Sequence, residues 1–133
     1  MTNVDFLWQL ADYLDRENIG DVTSNIFVGF YPDDPDNIIA LLYNTGGQPN
    51  IDVADFEYPR FQVVIRNTDY VTGAGKLREI RRLLHDKLNV TTENFIALYI
   101  QADSEGGSIG KDGKGRFEFS INFASQIRSD SIS

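Results

Sequence analysis

The segment "RFEFSINFA", residues 116–124, shows the strict alternation of a strand with one buried face. Aromatic and aliphatic side chains occupy every second position, with polar side chains between them. The apolar set is Phe117, Phe119, Ile121 and Phe123. We predict that this set lies in the core against one face of a sheet, and that Glu118, Ser120 and Asn122 lie on the opposite face.

The glycine-rich segment before this strand, "SEGGSIGKDGKG" at residues 104–115, matches no phosphate or metal loop. A Walker loop has glycine where Glu105 stands, and a hydroxyl residue where Asp112 follows Lys111. A dinucleotide-binding turn leads into a helix, whereas a strand follows here, and the acidic residues lack the closing glutamate of an EF-hand loop. We therefore predict a flexible connection of roughly fourteen residues within a long hairpin, which is uncommon unless it is functional or disordered.

Upstream, hydrophobic periodicity predicts two helices and four more strands. The helices cover residues 3–18 and 69–88, and Thr68 or Asp69 is placed to cap the second. Trp8, on the apolar side of the first helix, is predicted to anchor the core. The strands cover residues 25–31, 37–44, 60–67 and 94–101. The proline-rich run at 32–36 predicts a turn, and residues 50–59 predict a loop or a short edge segment.

The predicted element order is α-β-β-β-α-β-β. Strands that follow strands directly favour antiparallel pairing, with helices on one side. We therefore predict an α+β fold, in which a mainly antiparallel sheet of about five strands has two helices packed on one face. The chain has 133 residues, so residues 1–128 suit a single domain. Residues 129–133 are predicted to form a frayed C-terminal tail.

Composition excludes several classes of protein. The chain contains no cysteine, which excludes disulfides, thiolate nucleophiles and the common zinc sites. No window is long and apolar enough for a membrane helix. The start, "MTNVDFLWQL", lacks the basic residues and apolar core of a secretory signal. We expect synthesis inside the cell and no membrane partner.

No motif assembles catalytic side chains. His85 is the only histidine, and it shares a helix with three arginines, a setting typical of a surface residue. The serines stand in no nucleophile-elbow context, and no two carboxylates can be paired as acid and base. The sequence therefore predicts no catalytic, cofactor-binding or metal site, and a protein that is not an enzyme.

The net charge of −8 is unevenly distributed along the chain. Residues 1–60 hold eleven acidic and two basic side chains, net −9, and residues 61–133 hold nine acidic and ten basic ones, net +1. Within the second helix, residues 73–88 hold five basic and two acidic side chains, net +3. This asymmetry fits a solvated helix face in an acidic protein, or two unlike surfaces suited to head-to-tail association.

Three segments resemble the tail terminator and minor capsid proteins of long-tailed bacteriophages. They are "YPRFQVVIRN" (58–67), "YVTGAGKLREIRRLL" (70–84) and "GKGRFEFSINFASQIR" (113–128). In such proteins a proline and a strand lead to a helix, and a glycine-rich hairpin leads to a final strand reading Arg-aromatic-x-aromatic-Ser-x-Asn-aromatic. The likeness extends over residues 37–128, and the first helix matches by position and size.

The resemblance implies a homo-oligomeric ring, commonly a hexamer, on the head-proximal end of the tail tube. Such a ring stops tube polymerisation and presents a joining surface to the head. The partners implied are further copies of the chain, the tail tube protein and the head-tail connector protein, while DNA passes through the lumen without sequence-specific binding. The location implied is the tail or neck of the virion, assembled in the cytoplasm of the bacterial host.

By matching position, the resemblance assigns Arg66 and Tyr70 to subunit or partner contacts. It assigns Arg78, Arg81 and Arg82 to the basic side of the subunit interface. The docking loop that it implies consists of Gly106, Gly107, Gly110, Lys111, Asp112, Gly113, Lys114 and Gly115. On the alternative reading, Arg66 ends a strand in water, and the helix arginines balance nearby carboxylates.

Two other functions stay open at this level. The first is a head-closure or neck adaptor, or a minor capsid protein, on the portal side. The second is an intracellular module that binds a small ligand under the glycine-rich loop, which ligand-induced thermal stabilisation would reveal.

Overall fold

The computed structural model describes residues 5–44, 56–92 and 95–129. These residues form two helices and eight strands. The helices are α1 (Phe6–Arg16) and α2 (Tyr70–Leu84). The strands are β1 (Ile26–Val28), β2 (Ile38–Tyr43), β3 (Phe56–Glu57), β4 (Arg60–Asn67), β5 (Lys87–Thr91), β6 (Phe95–Ala102), β7 (Gly107–Lys111) and β8 (Phe117–Ser129).

The central strand of the sheet is β8, which pairs along both of its edges. On one edge lie β4 and, beyond an interruption at Pro59, β3 in the same register. On the other edge lie β7 and β6, and the order across the sheet is β1-β2-β4-β8-β6-β5. The α+β class is confirmed. The predicted strand number is wrong because β3, β5 and β7 add to the five predicted strands, and the sheet is mixed because β1 runs parallel to β2.

Both helices contribute to one core, on one face of the sheet. From β8 this core takes Phe119, Ile121 and Phe123, as the alternation predicts, and Phe117 packs partly buried at its margin. Each helix contributes one stripe of apolar side chains at helical spacing. The stripes are Leu7, Leu10 and Leu14 in α1, and Leu77, Ile80 and Leu84 in α2.

The start of α1 is capped by Asp5. Its Oδ1 accepts hydrogen bonds from the backbone N–H groups of Leu7, at 2.8 Å, and Trp8, at 3.3 Å. The sequence also offers Thr2 and Asn3 as caps, and both lie outside the described residues. Trp8 is 38% exposed, so the prediction that it anchors the core is wrong. The buried stripe runs through Leu7, Leu10 and Leu14, and Trp8 lies beside that stripe on the solvent side of the helix.

The other helix, α2, starts where the sequence predicts but ends four residues early. Asp69 caps the start by accepting hydrogen bonds from the backbone and side chain of Thr72, at 2.9 and 2.6 Å. At the other end Asp86 has a φ of 59°, a left-handed conformation that turns the chain out of the helix. Residues 87–91 then pair with β6 instead of extending the helix.

The structure assigns residues 56–57 to a strand and lengthens the final strand. Residues 56–57 form the short segment β3, one of the two outcomes predicted for residues 50–59, and residues 50–55 lie outside the described part of the chain. The final strand extends to Ser129 rather than ending at 124, because β6 and β3 pair with its second half. The rest of the predicted tail, residues 130–133, lies outside the described residues.

Two glycines in the first half of α2 provide a matched test of the helix–sheet packing. A Cβ at Gly73 would lie 2.4 Å from Cε1 of Phe119, whereas a Cβ at Gly75 would meet nothing within 4 Å. We predict that Gly73→Ala destabilises the fold by about 1–3 kcal/mol, because it overpacks the core. Gly75→Ala should stabilise it by up to about 1 kcal/mol through helix propensity.

The measurement is the free energy of unfolding of both variants by chemical denaturation. Equal changes in the two variants would show that α2 does not pack as closely on β8 as described.

Candidate interaction surface

The solvent-facing side of α2 carries a stripe of exposed residues that includes Arg78 and Arg82, and we call it the basic stripe. Residues 71, 75, 78, 82 and 85 are exposed and follow one another at spacings of four and three, so they lie along one line of the helix. Neither Arg78 nor Arg82 forms an ion pair with another described residue. Two of the three predicted interface arginines therefore present their guanidinium groups to solvent.

Arg81 lies to one side of this stripe, toward the sheet. Its side chain is partly buried, and its Nη1 lies 3.7 Å from Oε1 of Glu105. Glu105 is almost fully exposed, so water screens this ion pair and it contributes little to stability. Its effect is local, because it sets a guanidinium and a carboxylate side by side where α2 meets the chain before β7.

At this point a cleft of about 200 Å³ opens between α2 and β7. Its apolar lining comes from Ala74, Leu77 and Phe119. Tyr70 stands at one end, half-exposed, with its ring 5.4 Å from that of Phe117 and 5.3 Å from that of Phe119. The remaining lining residues are Arg78, Arg81, Glu105, Gly106, Gly107 and Ser108. We call this site the α2–β7 cleft.

The predicted docking loop is not a flexible connection. Residues 107–111 form β7, which pairs with residues 117–120 of β8. A tight turn joins the two strands: the N–H of Asp112 donates to the carbonyl of Arg116 at 2.9 Å, and the N–H of Gly115 donates to the carbonyl of Asp112 at 3.1 Å. The residues of the predicted loop therefore form an ordered hairpin, whose exposed end carries Gly113 and Lys114.

The glycines serve backbone geometry in this hairpin. Gly106, Gly110 and Gly115 have φ values of 75°, 112° and 78°, which other residues rarely adopt. A Cβ at Gly106 would also lie 2.8 Å from the carbonyl oxygen of Ser120. The prediction of flexibility was wrong because the same composition that loosens a free loop also permits a close, twisted approach of β7 to β8.

Arg116 holds the hairpin turn against the loop between β1 and β2. The residue is only 5% exposed, and its Nη2 lies 2.8 Å from Oδ1 of Asp33. Its Nε donates to Oδ2 of Asp112 at 2.7 Å, and its Nη1 donates to the carbonyl of Asp33 at 2.6 Å. Lys114 forms a further ion pair with Asp33. The acidic residues of "PDDPD" (32–36) therefore include the partner of Arg116 and Lys114. The sequence alone could not identify which basic residues they contact.

Arg66 holds the same loop from the sheet side. It is 3% exposed and donates four hydrogen bonds, of 2.6 to 3.2 Å, to the carbonyls of Pro32, Asp33, Pro35 and Asp36. It therefore neither ends a strand in water nor presents its charge at the surface.

His85 and the acidic side chains form no metal site among the described residues. His85 caps the end of α2, and its Nδ1 accepts a hydrogen bond from the N–H of Ala102 at 2.9 Å. Among the described residues, no group of three histidine, aspartate or glutamate side chains is placed to hold a metal ion. Neither described helix has the length and apolar character needed to cross a membrane.

Residues 13–128 match the model of a protein family described as bacteriophage tail terminator protein, which places the chain among phage structural proteins. The match extends over most of the chain, and the chain belongs to this bacteriophage tail terminator family. The family recognised from the motifs is thereby confirmed, and it implies a component of the virion tail. No curated protein matches the chain.

The hydrogen bonds between Asp112 and Arg116 in the hairpin turn predict that the fold loses stability in acid. Hydrogen bonds from Arg116 lower the pKa of Asp112 to about 2. A carboxylate with a lowered pKa stabilises the fold fully above its unfolded pKa of about 4, and this stability is lost as the pH falls toward 2. We predict that Asp112→Asn is less stable than the wild type at pH 7 and that the difference shrinks between about pH 4 and 2.

The measurement is the free energy of unfolding of both proteins as a function of pH. Asp34→Asn is a matched control, because no described residue forms an ion pair with Asp34. A difference between Asp112→Asn and wild type that stays constant down to pH 2 would contradict the role assigned to Asp112.

Proposed function

We propose that the protein forms a homo-oligomeric ring, a hexamer, on the head-proximal end of the tail tube. There it stops polymerisation of the tube and presents a surface that joins the head. The observation that carries this proposal is the family match over residues 13–128. The protein acts by contact alone, without catalysis or a cofactor, and it assembles in the cytoplasm of the bacterial host.

The distribution of charge supports association into a ring. Each subunit of a ring uses two different patches, one on each side. The basic stripe of α2 supplies one candidate patch, with Arg78 and Arg82 facing solvent. The acidic first half of the chain, net −9 over residues 1–60, supplies side chains of opposite sign. The same net negative charge suits a lumen through which DNA slides without being bound, because carboxylates repel phosphates.

The β7–β8 hairpin supports contact with a second protein. Its end is exposed, and Ile109 of β7 places an apolar side chain in solvent. Arg116 and the β7–β8 hydrogen bonds order the hairpin within the single chain, so docking would require little further ordering and would lose less entropy. We assign this end of the molecule to the tail tube protein or the head-tail connector protein.

A tube-assembly experiment tests the proposed function. Purified tail tube protein is polymerised with and without the chain, and tube lengths are measured by electron microscopy. We expect shorter tubes that carry extra density at one end. Unchanged tube lengths would contradict a terminator role, and binding to portal-side adaptors under the same conditions would favour the head-closure function instead.

Reversal of the basic stripe tests ring formation itself. We predict that replacing Arg78, Arg81 and Arg82 with glutamate abolishes the ring, because the charge of that patch then matches that of its neighbour. The oligomeric mass is measured by size exclusion with light scattering, in the presence of tail tubes where the wild type needs them. Arg128→Glu, at an exposed position away from α2, is the control and should assemble as the wild type does. A normal ring in the triple variant would remove these arginines from the interface.

A further inference from the structure

The solvent side of α1 carries a partly exposed tryptophan. Trp8 is 38% exposed, and it precedes Asp12 by four residues, so the two side chains lie together on the solvent side of the helix. The Asp12 carboxylate forms no ion pair with another described residue. Large aromatic side chains left in water are a feature of contact surfaces, where tryptophan is enriched among the residues that dominate binding. We call this pair the α1 patch.

The surroundings of the α1 patch are acidic. Residues 5–17 hold four acidic side chains and one basic one, net −3. Two of the four carboxylates act within the chain, because Asp5 caps α1 and Asp15 accepts a hydrogen bond from the N–H of Val22 at 3.0 Å. The other two, Asp12 and Glu17, are exposed. The patch therefore combines an aromatic ring with unbalanced negative charge.

The α2–β7 cleft has the opposite character. Ala74 and the buried side chains of Leu77 and Phe119 supply its apolar part. Arg78 and Arg81 stand along it, and the carboxylate of Glu105 lies beside Arg81. Arg82 extends the positive charge one turn along the helix, and residues 73–88 carry net +3. A guanidinium group attracts both the face of an indole ring and a carboxylate. The cleft thus matches both components of the α1 patch.

The patch and the cleft occupy different parts of the molecule. The side of α1 that carries Asp12 borders Thr91 and Thr92, at the end of β5. The cleft lies between α2 and β7, and the residues that line it include none from α1. Two complementary and separate surfaces on one chain associate head to tail between copies, which yields a closed ring when the rotation closes.

We propose that the α1 patch of one copy docks into the α2–β7 cleft of the next copy, with Trp8 in the cleft and Asp12 against Arg78 and Arg82. This inference rests on the proposed function, because it assigns the two sides of the ring contact. It makes Trp8 the central residue of the interface and the arginines its charged rim.

Two variants, each lacking one side of the contact, test the pairing. The first, Trp8→Ala with Asp12→Arg, loses the α1 patch and keeps the cleft. The second, Arg78→Glu with Arg82→Glu, loses the charge of the cleft and keeps the patch. Each variant alone should remain a monomer of 15.0 kDa. An equimolar mixture should form a complex of twice the monomer mass and nothing larger, because the intact cleft of the first variant accepts the intact patch of the second.

Light scattering measures the masses, and thermal unfolding checks that each variant is folded. Phe30→Ala is the matched control for the tryptophan, since Phe30 is 60% exposed outside both surfaces, and it should leave the ring intact. Rings in either single-side variant, or a mixture that stays monomeric, would overturn the pairing while leaving the proposed function in place. A wild type that forms no ring, even on tail tubes, would overturn both.

Discussion

The structure depends on the pairing of β8 along both of its edges. β4 and β3 hold one edge, and β7 and β6 hold the other, so four of the seven other strands take their position from this one. The register sets Phe61 opposite Phe123, with the two rings stacked at 5.2 Å. A slip of one residue would move the apolar face of β8 into water. Helix packing, the cleft and the hairpin all presuppose this register.

A second constraint keeps the loop between β1 and β2 in place. Arg66 donates hydrogen bonds to four backbone carbonyls of this loop. Arg116 connects the same loop to the hairpin turn. A buried guanidinium group is costly unless hydrogen-bond acceptors compensate it. Here four backbone carbonyls surround Arg66, and carboxylates and a carbonyl surround Arg116. The result is an ordered end of the molecule. Preorganisation of this kind reduces the entropy that a segment loses when it docks on a partner.

The described surface separates unlike features between the two helices. Positive charge collects on α2, while α1 exposes an aromatic ring beside unbalanced carboxylates. Unlike patches on one chain suit a ring, in which every subunit meets two neighbours through different surfaces. Membership of the tail terminator family implies that the protein is a component of the virion tail.

The sequence by itself determined the α+β class, the core residues of β8, the family, and a cap for α2 at Thr68 or Asp69. Each follows from local pattern, because alternation, capping chemistry and motif order are properties of contiguous residues. Only the tertiary structure showed that residues 87–91 and 107–111 form the strands β5 and β7. The burial of Arg66 and the exposure of Trp8 also follow only from it. Short strands form where a partner strand exists, and a buried arginine needs carbonyls contributed by residues about thirty positions away. Tryptophan is highly buried on average. The packing of the residues around Trp8 nevertheless leaves its side chain 38% exposed.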